Sequence, residues 1–413
     1  MAPTGLSALE AESARHPSDA QASLRLAKAY YEAGRFADAR RAVGTALLVE
    51  PQNPEARVYL GLCYEKLAQF DSARTTYQDL IATHPTKSVQ HLLRGRLAIL
   101  EHEALVAAAR QAIANESLLA RTPPEPNTVA VMPLHYAGTD SSYRPLERGL
   151  AAVMITDLSR VRELKVLERA RLQALLDELH LSSQGRVDLA TGARSGRLLR
   201  AAEVVQGQFT TDASSQVRLD ATVVRAADAQ VAASGSGSDK LQALFNLEKM
   251  VVLQLLSRLG ITLTPAERVA ISERPTKDMV AFLLYSRGLE ADDDGDFTGA
   301  AAAFNAAAER DPTFTQAVQQ AASARAAQAA SVTPATSLAA AASASTGAST
   351  SGTLGTAINA AVPSGAGVLS SVATTAGLGL PSADPNRIAE GTLTDGPART
   401  AIDASVTLIL KLP

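Results

Sequence analysis

Six histidines (His16, His84, His91, His102, His135 and His180), a single cysteine (Cys63) and a run of carboxylates at Asp292, Asp293, Asp294 and Asp296 are where this 413-residue chain could do chemistry. Their spacing argues against it. A zinc site gathers three or four ligands at one point, yet the histidines include no HExxH and no pair four residues apart. One cysteine can form neither an intrachain disulfide nor a thiolate cluster. No metal and no cofactor is expected. The acidic run starts like a calcium loop, but the Glu that closes such a loop would have to stand near Ala301; a solvated turn is the expectation. The chain has no GxSxG, no phosphate-binding loop and no glycine fingerprint after a strand, and Gly235-Ser236-Gly237 reads as a flexible connection ahead of a helix. Glu168 and Arg169 are the sharpest charged pair, placed where a strand meets a helix, and are expected to serve the helix dipole and a local ion pair. Cys63 reads as a small buried hydrophobe. No catalytic residue can be named, so the expectation is a protein that is not an enzyme.

The elements that would have to position such groups are spread unevenly. Hydrophobic residues make up 46% of the chain, but aromatics only 4%, with no Trp. Twelve of the sixteen Phe and Tyr fall in two stretches, Tyr30 to Tyr77 and Phe282 to Phe314. From Ala326 to Ala383 there is no Asp, Glu, Lys or Arg. A net charge of -3 with mixed signs offers no basic field to a phosphate backbone, so no nucleic acid partner is expected. No apolar run reaches 18 residues, which excludes an integral membrane helix on sequence grounds, and Met1 to Pro17 lacks the apolar core of a signal peptide.

The aromatic stretches are periodic. Pro17, Pro51 and Pro85 recur every 34 residues, each followed by a polar turn and a helical pattern. Aligning 20–53 with 54–87 pairs Leu26 with Leu60, Ala27 with Gly61, Tyr30 with Tyr64, Phe36 with Phe70, Ala39 with Ala73 and Val43 with Tyr77. Small residues at 27 and 61 let a second antiparallel helix come close, and the aromatics wedge between the pair. This pattern resembles the tetratricopeptide repeat, including Gly34 at the inter-helix turn and the terminal Pro51. Residues 88–116 continue as two amphipathic helices without the signature, a degenerate capping pair. Residues 281–314, with Gly288, Gly295, Phe297, Ala300, Phe304, Ala307 and Pro312, repeat the template, and the 17-residue interval from Gly295 to Pro312 equals that from Gly34 to Pro51. Allowing for flanking helix, this unit occupies 278–330, and the N-terminal repeats occupy 1–120.

Between the repeats lies a different domain. The RTPPEPN segment, 121–127, reads as a Pro-rich linker. Thr128 to Leu134 (TVAVMPL) reads as a buried strand, and Pro145 opens an amphipathic helix built on Leu146, Leu150, Val153, Met154 and Leu158. Leu164 to Leu167, Ala202 to Phe209 and Val217 to Val224 read as further strands. The last alternates apolar with polar residues, so one of its faces should be wet. A hairpin partner at 229–234, a Gly/Ser turn at 234–238 and a helix capped by Asp239 and ending at Gly260 complete the pattern. The opening VAVMPL strand, VLER at Val166 to Arg169 and AAEVVQGQF at Ala201 to Phe209 make residues 128–263 resemble the CsgG-like family of curli secretion channels, and more loosely the N-terminal domain of TolB-type envelope proteins. That family usually has Gly-Ala-Asp before the last of these strands, where Ala201, Ala202 and Glu203 stand here. Its lipoprotein members carry a lipidated cysteine at the mature N-terminus, and none stands there in this chain.

The fold class that follows is multidomain, α plus α/β: N-terminal helical repeats, a CsgG-like α/β domain, a further repeat unit and a low-complexity tail. Residues 331–390, rich in Ala, Ser, Thr and Gly, are expected to be disordered linker. In the β-prone end, 391–413, Ser405 to Leu412 (SVTLILKL) is expected to add a strand to the α/β sheet or to a neighbouring chain. The repeat resemblance implies a concave groove lined by Gln21, Leu24, Lys28, Tyr31 and Glu32 from the first unit and by Glu55, Val58, Leu62, Glu65 and Lys66 from the second. The family's carboxylate-clamp pattern is absent, since Leu24, Lys28, Val58 and Leu62 occupy its places, so a partner segment with both apolar and charged groups fits better. The resemblances together imply a scaffold that binds proteins through the repeats and assembles with copies of itself through the α/β domain. They place it in the periplasm or at the outer membrane. The alternative is a cytoplasmic repeat scaffold with a regulatory α/β module, favoured by the missing signal peptide if Met1 is the true start.

Overall fold

A computed structural model describes residues 5–179, 188–212 and 214–347. The tail at 391–413, with its SVTLILKL segment, and residues 348–390 lie outside the described residues, as does the polar turn expected at 182–186. The fold class is the one the sequence implies, α repeats joined to an α/β domain.

The chain opens with α1 (Gly5–Arg15), and α2 (Ala20–Glu32) then starts where the Asp19 carboxylate accepts from the Gln21 and Ala22 amides, satisfying donors that a helix start leaves free. Gly34, in the left-handed region at φ +74°, turns the chain into α3 (Phe36–Val49). Asn53 caps α4 (Pro54–Lys66), whose first residue is a proline that needs no amide partner there, and α5 (Phe70–Ala82) closes the second hairpin. At the turn equivalent to Gly34 stands Ala68, held left-handed at φ 55° without a glycine. The core of each hairpin pairs a small residue with a larger one. A Cβ at Gly61 would lie 2.4 Å from the Tyr77 ring, and Ala27 and Val43, both fully buried, hold the corresponding places in the first unit.

The expected capping pair is instead one helix, α6 (Lys87–Ala114), followed by the single turn α7 (Glu116–Leu119). The pause in apolar periodicity near Glu101 to Glu103 contains no helix breaker, so the hydrogen-bond ladder simply continues. Val89 and Leu93 belong to the repeat core, while Ala109, further along the same helix, belongs to the core of the α/β domain. The Pro-rich linker is also shorter than expected. Glu125, within it, opens β1 (Glu125–Val131) by pairing with Ala201, and the register shift that follows leaves Pro126 off the regular ladder, where a missing amide costs little.

The α/β domain continues through β2 (His135–Tyr136), α8 (Leu146–Leu158), β3 (Lys165–Val166), α9 (Arg169–Glu178), α10 (Leu189–Leu199), β4 (Ala201–Thr211), β5 (Gln216–Arg225), β6 (Val231–Lys240), α11 (Leu244–Arg258) and α12 (Pro265–Ile271). The sheet runs β3-β1-β4-β5-β6, parallel through β3, β1 and β4 and antiparallel from β4 to β6, with β2 also parallel to β4. Alternation sorts the side chains. Val129 and Val131 enter the core shared with α8 and α11, whereas Ala130 and Met132 enter the one shared with α9 and α10. Val217, Leu219, Ala221 and Val223 of β5 are buried, while Arg218 and Asp220 pair at 2.9 Å on the wetter face.

The Gly/Ser segment is strand, not turn, and Asp239 lies in β6 rather than capping a helix. A Cβ on Gly235 would sit 3.0 Å from the Val251 carbonyl oxygen, and one on Gly237 would sit 2.2 Å from Met250 Cε. These glycines therefore let α11 lie directly on the sheet. The same helix covers the free edge. The Ser236 amide donates to Gln254 Oε1 (3.0 Å), Gln254 Nε2 donates back to the Ser236 carbonyl (3.3 Å), and Arg258 Nη1 donates to Ser234 Oγ (2.7 Å), which blunts the edge toward further pairing.

The third hairpin is α13 (Met279–Asp293) and α14 (Phe297–Arg310), turned at Gly295 (φ +72°). It repeats the small-to-large pairing of the second: a Cβ at Gly288 would lie 2.4 Å from Phe304. Phe282 and Phe304 belong to the α/β core, so this unit is not a separate body. Next, α15 (Thr315–Val332) packs along α6, so closely that a Cβ at Gly95 would lie 1.9 Å from the Ala326 carbonyl oxygen. The α/β domain is thus an insertion in one helical array, and α6 and α15 form its seam. Last comes α16 (Ala335–Gly347), in the stretch expected to be disordered. An alanine-rich helix needs no bulky residue to pack. Leu338, Ala339 and Ala342 are buried in one cluster with Leu24, Val58, Leu62 and Leu93.

Candidate protein-binding face

The ten residues nominated for the repeat groove separate into three groups. Leu24, Val58 and Leu62 are almost fully buried in one cluster with Leu338, Ala339 and Ala342 of α16, which packs on α4 and α6. Lys28, Tyr31, Glu55 and Glu65 are engaged within the repeats. Lys28 pairs with Glu55 at 2.5 Å, and the Tyr31 ring meets Phe36 and Tyr59 edge-on at 5.3 and 5.6 Å. Glu65 receives Arg96 from α6 on both its oxygens; burial raises its pKa although Arg96 works against that. Gln21, Glu32 and Lys66 stay exposed. The structure therefore brings the nominated residues together on one face, but the apolar centre of that face holds a helix of the same chain. What hid α16 from sequence reasoning is its composition, because Ala and Ser are equally frequent in tethers and in closely packed helices.

The acidic run is only partly the solvated turn expected of it: Asp294 and Asp296 are exposed beside Gly295, but Asp292 and Asp293 are not. Asp293, at the end of α13, has a side chain only 2% exposed and accepts from Arg148 of α8 (3.0 Å) and Arg169 of α9 (2.5 Å). Asp292 beside it is buried enough that desolvation raises its pKa, even with Arg169 pulling it down. Arg169 thus finds its partner 124 residues away rather than in the adjacent Glu168, whose own pKa is raised by burial. These contacts fasten the third hairpin to the α/β domain. Arg169 and Asp293 have a structural role as a charge-assisted latch.

A second buried cluster joins α8 to α11. Lys249 Nζ donates to the Asp157 carboxylate and lies 3.3 Å from Glu248 Oε2, although neither Glu248 oxygen achieves hydrogen-bond geometry. Burial, then the neighbouring Asp157, pushes the Glu248 carboxyl up to about 8 despite Lys249. Asp157 and Lys249 also line a cavity of about 370 Å³ with Arg160, Glu273, Arg274 and Tyr285. Burial raises the Cys63 thiol to about 12, which leaves little thiolate. Among the described residues no group of three or more His, Cys, Asp or Glu could hold a metal ion, and no helix is long and apolar enough to cross a membrane.

The family described as tetratricopeptide repeat matches residues 3–44 and 24–88, which are α1 to the start of α6. The family described as curli production assembly/transport component CsgG matches residues 110–211, from the end of α6 through β4; β5, β6 and α11 follow the matched stretch. Among solved structures, the C-terminal domain of LpoB from Salmonella enterica is similar at 12% identity, covering 30% of this chain and 94% of that one, with a TM-score of 0.22. No curated protein gives a significant match. The 34-residue hairpins with their small-to-large core pairs and the α/β insertion that follows them make this chain a tetratricopeptide-repeat protein carrying a CsgG-like domain.

Proposed function

We propose that this chain is a non-enzymatic scaffold of the bacterial cell envelope. Its repeat face takes a helical segment of a partner, and its CsgG-like domain assembles with other envelope proteins or with copies of itself. The observation that carries this reading is the seating of α16. A face of α4 and α6 that accepts one apolar helix has the shape a helix-in-groove interaction uses. The envelope location rests on the CsgG match. Leu62 lies in the core, where truncation would test stability rather than binding, so the test uses the exposed rim. Glu32→Lys with Lys66→Glu should leave the fold intact and reduce recovery of envelope proteins crosslinked to the native chain. An unchanged partner set, or a native chain absent from envelope fractions, would count against the reading.

A further inference from the structure

The seating of α16 carries a second consequence, which rests on the scaffold reading and concerns the regulation of the same face. The helix brings no charge of its own to the face: its sequence, ATSLAAAASASTG, contains no Asp, Glu, Lys or Arg. The charges nearest the face are paired among themselves, Lys28 with Glu55 and Glu65 with Arg96. The one large apolar residue of α16 is Leu338, at 2% exposure; Ala339 and Ala342 are buried beside it, and Ala335 and Ala341 pack partly against the same cluster. Thirteen residues are near the lower limit for a helix to persist in water without tertiary support. Its advantage is connectivity, because only Thr333 and Pro334 separate it from α15, so its effective concentration at the face is high.

We infer that α16 is a resident stand-in ligand of the repeat face, displaced by a partner helix that repeats its pattern with stronger anchors. The pattern is a large aliphatic residue, an alanine directly after it and another small residue three further on, as at 338, 339 and 342. The two alanines are needed because the helix lies close against α4 and α6, where Val58 and Leu93 are fully buried. The partner that fits is an Ala/Ser-rich amphipathic helix whose flanks carry both charge signs, to meet the exposed Glu32 and Lys66. An uncharged occupant leaves those two unused, and this gives a trans ligand its margin over the cis one.

The test uses the full chain and a fluorescent synthetic peptide of residues 333–347. Ala339 is completely buried, so Ala339→Arg cannot seat beneath the helix and should free the face. Fluorescence anisotropy should show the peptide binding the Ala339→Arg chain at least tenfold more tightly than the wild-type chain, and a peptide carrying Leu338→Asp should not bind either. If Ala339→Arg lowers the far-ultraviolet circular dichroism beyond the loss of one short helix, Leu338→Ala replaces it, with about a threefold gain expected. Equal affinity of the peptide for wild-type and variant chains, or no binding to a folded variant, overturns the inference. Binding that appears only as the chain dimerises would assign the face to α16 of a second copy and would overturn it as well. The outcome is separable from that of the scaffold reading. Peptide exchange can succeed while the rim substitutions leave envelope partners unchanged, and the reverse can equally be observed.

Discussion

Replacing Glu248 by Gln should change the way this protein's stability depends on pH. In the native chain Glu248 is fully buried beside Asp157 and Lys249, and burial followed by Asp157 moves its pKa from an ordinary 4.5 up to about 8. A carboxyl raised in the folded state holds its proton there after the unfolded chain has released it, so its contribution is complete below about 4.5 and is lost as pH rises toward 8. At about 1.4 kcal/mol per pH unit, that interval corresponds to at most roughly 5 kcal/mol, and sharing of the proton with Asp157 reduces it, to about 2–3 kcal/mol. Glutamine has nearly the same shape and no charge at any pH. Glu248→Gln should therefore match the native chain near pH 5 and be about 2 kcal/mol more stable near pH 9. Urea unfolding of both chains at pH 5 to 9, followed by circular dichroism, measures this as midpoints that separate as pH rises. Parallel curves would show that the Glu248 carboxyl does not carry the slope. Arg160, which lines the same cavity, is unchanged in both chains and cancels from the comparison.

Two further outcomes follow from positions away from this cluster. Asp293→Asn leaves Arg148 and Arg169 half-buried without the carboxylate they share, and should destabilise the chain by about 3–5 kcal/mol. Adding Arg169→Met should recover part of that loss, which a double-mutant cycle from thermal melting resolves. Ala68→Gly relieves a left-handed alanine at the second inter-helix turn, and should raise stability by up to about 1 kcal/mol after the entropy lost by glycine, seen as a rise in melting temperature by calorimetry.

The residues that were readable in the sequence are those whose reason for being there is local. Gly61 with Tyr77 and Gly288 with Phe304 mark the inside of a hairpin because a 34-residue unit meets itself at fixed positions. The strand pattern of β5 shows because one of its faces is wet. Residues that answer to distant neighbours carry no such local mark. Gly235 and Gly237 look like a turn until α11 is laid across them. Asp293 looks solvated until Arg148 and Arg169 arrive from helices more than 100 residues earlier. The alanines of α16 look like tether because their burial depends wholly on what they pack against. At the candidate site, the first helices of the hairpins could be read from the period, but the helix lying on them could not. An uncharged Ala/Ser segment carries no signal that distinguishes a free tether from a docked helix.

The seam between α6 and α15 imposes an order on how the chain comes together. The two helices approach so closely at Gly95 that neither is complete without the other, yet Gly95 and Ala326 are separated by the whole α/β domain. As the chain leaves the ribosome from its N-terminus, the first two hairpins can form at once from contacts near in sequence. The flank of α6 waits until residue 332 has emerged, and the face holding Val58 and Leu62 waits longer still, until α16 follows. During that interval the nascent chain presents bare apolar helix surface that only its own last described helices will cover. Any stall in the α/β domain prolongs that exposure and makes this stage the one most open to chaperone capture or misassembly.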